Sequence, residues 1–132
     1  SGADQRMVAA AIKAVKESSF AVERRVKEEM PVDTGRARAS WGHWSGANNP
    51  DASEADASWV ESDGGLTIEQ GSNVVYVPFL NAGHSRQAPA GFIDRAGATG
   101  QLELERELGL LDPLSAAGIS LQAATISQSG FF

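Results

Sequence analysis

Two histidines, His43 and His84, are the only imidazoles in the chain, and cysteine is absent. Tetrahedral zinc takes three or four N or S ligands at fitting geometry, and no HxH, HExxH or HxxxH pair is present. The missing thiols also exclude a disulfide framework and cysteine nucleophilic catalysis. Serines are plentiful, yet none sits in a G-x-S-x-G elbow that would expose a nucleophile at a strand-to-helix turn. Gly64-Gly65 lacks the Lys-Ser/Thr of a phosphate loop and the spacing of a dinucleotide fingerprint. Glu103, Glu105 and Glu107 alternate with leucines and Arg106, the pattern of a solvated face. Trp41, Trp44 and Trp59 have the π surface for base stacking but no flanking cations, so they read as core or contact anchors. No catalytic residue, cofactor or metal ligand is expected, and the chemistry to look for is that of surfaces.

The bulk properties agree. The chain has 132 residues, enough for one domain with a modest core, and 42% hydrophobic residues, ordinary for a globular protein. The longest apolar stretch, Val74–Leu80, is too short to cross a bilayer and contains Pro78. No signal-peptide pattern opens the sequence, and a start at Ser1 suggests removal of an initiator Met. The net charge is −6, from 17 acidic and 11 basic residues. Residues 1–44 hold eight basic and six acidic side chains, whereas residues 45–73 hold six acidic and no basic ones. With no basic stripe apparent from the sequence, affinity for DNA by counterion release is not expected. A negative wall would instead let DNA slide past.

The elements that must position any surface follow from periodicity. Val8, Ile12, Val15, Ser19, Val22, Val26 and Met30 recur every three or four residues, which predicts one helix over residues 3–30, closed by Pro31. Such a helix is about 40 Å long, long enough to project from so small a domain. Val32-Asp33-Thr34-Gly35 reads as a turn, in which Asp33 or Thr34 bonds nearby backbone and Gly35 takes a positive φ. A strand is expected over Ala37–Trp44, followed by a polar acidic loop at 45–57. Ser58–Ser62 and Leu66–Gln70 form a hairpin around Asp63-Gly64-Gly65. After another turn comes a strand carrying Tyr76. A second helix begins near Ala90, with Phe92, Ile93, Ala96, Gly100, Leu104 and Leu108 on one side. The fold class is α+β: a long N-terminal helix, a small antiparallel β-sheet, a second helix packed on the sheet, and an irregular C-terminal tail. Residues 1–108 form one domain, and residues 109–132 an extension that docks on a partner or a neighbouring subunit. The closing Phe131 and Phe132 would be an exposed apolar patch unless docked.

Pro31, Asp33, Thr34, Gly35, Arg36, Arg38 and Ser40, directly after a long helix, resemble the signature of the phage tail-completion and head–tail joining (neck) family, of the minor tail protein Z type. The later Tyr76, Gly83, Pro89 and Phe92 fit the same pattern, and the likeness covers residues 5–96. Asn81 stands where the family often has Glu, Ala90-Gly91 separate a usually adjacent Pro-Phe pair, and the 45–57 loop looks inserted.

The resemblance implies a structural virion protein without enzymatic activity, assembled in the host cytoplasm. It implies a homo-oligomeric ring, six-fold, at the neck between head and tail. The partners implied are the tail terminator or tail tube on one side and the head connector or stopper on the other, with double-stranded DNA crossing the lumen unread and no membrane. Within that picture Asp33, Thr34, Gly35, Tyr76, Pro89 and Phe92 are structural. Arg36, Arg38, Asn81, Gly83, His84, Arg86, Phe131 and Phe132 are the candidate contact residues. Arg36 and Arg38 could reach a neighbour's acids or pair with Glu28, Glu29 or Asp33 of their own chain. A tail terminator capping the tube is an alternative of the same class. A small hydrolase or a non-viral binding module are alternatives of other classes.

Overall fold

The computed structural model describes residues 2–30, 35–46, 48–83, 90–109 and 120–123. Helix α1 runs Gly2–Glu29. Its stripe is apolar where it meets the rest of the chain: Val15, Val22, Val26 and Met30 are buried together with Ser19. The stripe continues to Val8, which is 48% exposed, so the first turns extend beyond the described core. Helix α2, Arg36–Ala39, is a single turn entered from Gly35 at φ +74°. A 3-10 turn, Glu54–Asp56, leads into β1, Ala57–Ser62. Strand β2 is Thr67–Ser72, α3 is Val77–Asn81, α4 is Phe92–Gly109 and β3 is Ser120–Ala123.

The predicted hairpin is present. β1 pairs antiparallel with β2 from Ala57↔Ser72 to Ser62↔Thr67. Asp63, Gly64 and Gly65 all have positive φ (54°, 67° and 98°), a conformation that glycine tolerates and Asp accepts better than most residues. The Thr67 hydroxyl donates to Asp63 Oδ2 at 2.9 Å across the turn. The sheet is larger than an antiparallel pair, because β3 joins the other side of β2 in parallel, Thr67↔Ser120 through Gln70↔Ala123. The tail thus contributes a strand of regular structure where an irregular segment was expected.

Two expected strands are helical. Residues 37–44 form α2 and a following turn, not a strand. Arg-Ala-Arg-Ala alternates with period two, but Ala and Arg are strong helix formers, and Gly42 at φ +74° breaks any extended run. The segment around Tyr76 is a turn running into α3. Pro78 has no N–H to give a sheet and fits the first turn of a helix, where that donor is not needed.

Helix α4 buries Phe92, Ile93, Ala96, Gly100, Leu104 and Leu108, the face read from the sequence. It packs along α1, and both helices touch β3. The core lies between these helices and the sheet, with Trp41, Ile68, Val74 and Val77 completing it. Each such side chain contributes roughly 1.5–3 kcal/mol when fully buried. Leu104, fully buried on α4, is expected to cost ~3 kcal/mol when replaced by Ala. Urea denaturation followed by tryptophan fluorescence checks this.

Candidate functional site

The residues after α1 are held to the body by buried polar bonds. Trp41 is fully buried, and its indole Nε1 donates to Gln70 Oε1 at 2.7 Å. Gln70 Nε2 donates to the Ser19 carbonyl at 2.8 Å and to Ser19 Oγ at 2.9 Å. One carboxamide therefore ties α1, β2 and the turn after α2 together. A second knot joins Ser40 Oγ and Ser72 Oγ at 2.7 Å, with Ser40 Oγ also donating to the Ala37 carbonyl. A third places the Glu23 carboxylate over the turn, where its Oε1 accepts the His43 backbone N–H at 2.7 Å and lies 3.4 Å from Lys27 Nζ. Gly42 is required beneath it, since a Cβ there would stand 2.5 Å from Glu23 Oε1.

Arg36 pairs within its own chain, reaching Asp56 with Nε at 3.4 Å and Nη2 at 3.3 Å. The hydrogen bond to Asp56 raises the Arg36 pKa above its ordinary value, against the opposing effect of burial, so the guanidinium stays charged. Asp56 Oδ2 also accepts the Ser53 N–H, which closes the turn leading into β1. The acidic segment is thus anchored at one end by a cation from α2. Arg38 donates from Nη2 to the Met30 carbonyl at 3.1 Å, and its Nε, shielded from solvent, makes no hydrogen bond among the described residues.

Asn81 works as a bridge. Its Oδ1 accepts the Ile93 N–H at 2.9 Å, its Nδ2 donates to Asp94 at 3.0 Å, and its carbonyl accepts the Gly91 N–H at 2.6 Å. It caps α4 from a distant position and satisfies amides that a helix start leaves unpaired. Gly83 is exposed with φ +97°. Tyr76 is half-buried against the core and Phe92 is fully buried. Asp33, Thr34, His84, Arg86, Pro89, Phe131 and Phe132 lie outside the described residues.

The sequence reading missed an aromatic trio at the surface. Phe20 stacks on Trp59 with centroids 4.9 Å apart, and His43 meets both rings edge-on at 6.0 and 5.6 Å. Phe20 points off the buried stripe of α1 yet is hydrophobic, and that mismatch was the available signal. Trp44 stands near it, lining with His43, Glu54 and Trp59 an open hollow of about 350 Å³. Across α1, Arg25 holds Glu103 of α4 in a two-pronged bond at 2.8 and 3.1 Å. Among the described residues no group of three His, Asp or Glu side chains could hold a metal. No helix among them is long and apolar enough to cross a membrane.

These features make a scaffold whose polar groups fix turns and hold loops to the body. The chain matches the HK97-gp10-like family, described as "Bacteriophage HK97-gp10, putative tail-component", over residues 3–83. It belongs to that family and is a structural, tail-related protein of a phage virion. The matched span runs from α1 through α3, and this is the class of phage tail and neck proteins to which the signature after α1 pointed. No curated protein and no solved structure matches the chain.

Two substitutions test the scaffold. Gln70→Leu leaves the Trp41 indole and Ser19 hydroxyl unmet and is expected to cost about 1–3 kcal/mol for each stranded group, read from the midpoint of chemical denaturation. Asn81→Ala removes the α4 cap and is expected to cost about 1 kcal/mol, with amide exchange speeding up first at residues 92–95.

Proposed function

We propose that this protein is a neck adaptor: a ring of identical subunits that completes the tail and joins it to the head around the DNA channel. The observation that carries the reading is the family match across α1, the Arg36–Arg38 turn and the hairpin. The acidic segment supports it too. Residues 45–73 hold no cation, and the hairpin carboxylates Glu61, Asp63 and Glu69, turned to the lumen, would repel the phosphate backbone and let double-stranded DNA pass without being gripped.

In this reading one layer of contacts goes to the tail terminator or tube, and the other to the head connector or stopper. The loop 81–87, with Gly83, His84 and Arg86, reaches a flanking ring, and residues 109–132, ending in Phe131 and Phe132, dock on a partner or a neighbouring subunit. Residues 120–123 already pair within the chain's own sheet, so the docking portion is what lies beyond them. Asn81 acts indirectly, by fixing where that loop leaves α3. The protein works by shape and contact, with no substrate turned over.

Particles made without this chain are expected to separate into full heads and finished tails that do not join, as seen by negative-stain microscopy, and labelled protein is expected at the neck of intact particles. Tails of uncontrolled length would favour the tube-capping alternative. Label along the tube or at the distal tip would refute a neck position.

A further inference from the structure

A groove of about 280 Å³ opens between α1 and α2, with Phe20 as its apolar wall and Arg24, Lys27 and Arg38 among its lining. Two carboxylates, Glu23 and Glu28, share the lining. Glu23 is already committed, because it holds the His43 amide and lies beside Lys27. Glu23 and Lys27 offset each other, so among the described residues Arg24 and Arg38 face Glu28 and the lining carries a net charge of one positive. Beside it Arg38 Nε is shielded from water and, among the described residues, makes no hydrogen bond. Buried donors without partners are uncommon enough to call for a cause. A carboxylate is the natural complement of this lining; Arg38 Nη2 already donates to the Met30 carbonyl, which leaves the exposed Arg24 as the cation that meets it first.

The same chain carries such carboxylates. Asp51 and Glu54 are exposed within a stretch of 29 residues, 45–73, that has six acids and no base. Among the described residues Arg36 pairs with Asp56 and anchors the segment at its base, while Asp51, whose charge Arg36 also feels, and Glu54 are exposed.

We infer that the groove between α1 and α2 receives the acidic segment around Asp51 and Glu54 of a second copy of this chain. Groove and segment are different surfaces, so the contact is head-to-tail. Such a contact repeats from subunit to subunit and closes into a ring when the rotation permits. The inference rests on the ring proposed above for its closed geometry and supplies the subunit contact. Phe20 gives an apolar wall on which the incoming backbone can pack, and the cations set the register. Charged pairs at the rim of such a contact govern its rate and salt dependence more than its total strength.

The test uses full-length protein and two charge-reversed forms, Arg24→Glu and the double variant Asp51→Lys/Glu54→Lys. All three positions are exposed, and circular dichroism verifies the fold of each form. Sedimentation velocity across a concentration series, at low and high salt, reads self-association. The wild type is expected to associate at low salt and to dissociate as salt rises. Each reversed form is expected to associate about tenfold more weakly, the loss of one close charge pair. An equimolar mixture of the two is expected to recover association, because the reversed groove then faces the reversed segment. Wild-type protein that stays monomeric at low salt overturns the inference, as do reversed forms that associate like the wild type or a mixture that shows no recovery. If the reversed forms associate normally while labelled protein still sits at the neck, the contact is wrong and the adaptor role stands. If association follows the charge pattern but the neck carries no label, the contact stands and the adaptor role falls.

Discussion

One buried carboxamide organises this molecule. Gln70 lies on the central strand with no exposure to water, and its three bonds run to the Trp41 indole, the Ser19 carbonyl and the Ser19 hydroxyl. An amide placed in an apolar core without partners would cost several kcal/mol. Here its oxygen and its nitrogen are both engaged, and the bonds tie β2 to two other parts of the chain, α1 and the turn after α2. A Leu at that position could pack but could not say which turn of α1 lies over which residue of β2. The carboxamide sets that register, and Trp41 then fixes the turn after α2.

Around that point the polar bonds share a logic. Glu23 seats the Gly42–His43 turn, Ser40 meets Ser72, Arg36 holds Asp56, and Asn81 starts α4. Each joins a loop or helix end to a regular element distant in sequence. A protein whose task is to present contact loops needs them in fixed places before a partner arrives, since ordering them on binding would subtract from affinity. Phage tail components of this size bury little surface each, and side-chain clasps extend order to segments that the apolar core does not reach.

The long elements were legible in the sequence because their periodicity is sustained. The stripe from Val15 to Met30, the Asp63-Gly64-Gly65 turn and the face from Phe92 to Leu108 each follow from spacing and turn chemistry. The short elements were not. Arg36-Ala37-Arg38-Ala39 alternates like a strand over too few residues for the pattern to outweigh helix propensity, and Val74–Val77 is rich in β-formers yet runs into Pro78. Strand β3 has no local signature, because four residues gain their identity only from pairing with β2. Of the candidate contact residues, Asn81 proved to be engaged within the chain and Arg36 to be clasped by Asp56, which spacing alone could not reveal. Gln70 could have been noticed as a polar residue in line with inward-facing Ile68 and Ser72. Its partners could not, since they lie in other elements.

The parallel pairing of β3 with β2 sets an order on how the molecule comes into being. β2 leaves the ribosome early, and its second neighbour emerges only after α3, α4 and the connecting residues have been made. Until then one flank of β2 is an open backbone edge, of the kind that seeks strands from other molecules. Closing a loop of that span costs conformational entropy, which slows the final step. The nascent chain therefore passes through a stage with hairpin and first helix in place but the sheet unsealed, and a polypeptide interrupted there lacks the strand against which both major helices rest. Completeness of synthesis becomes a condition for a well-formed fold.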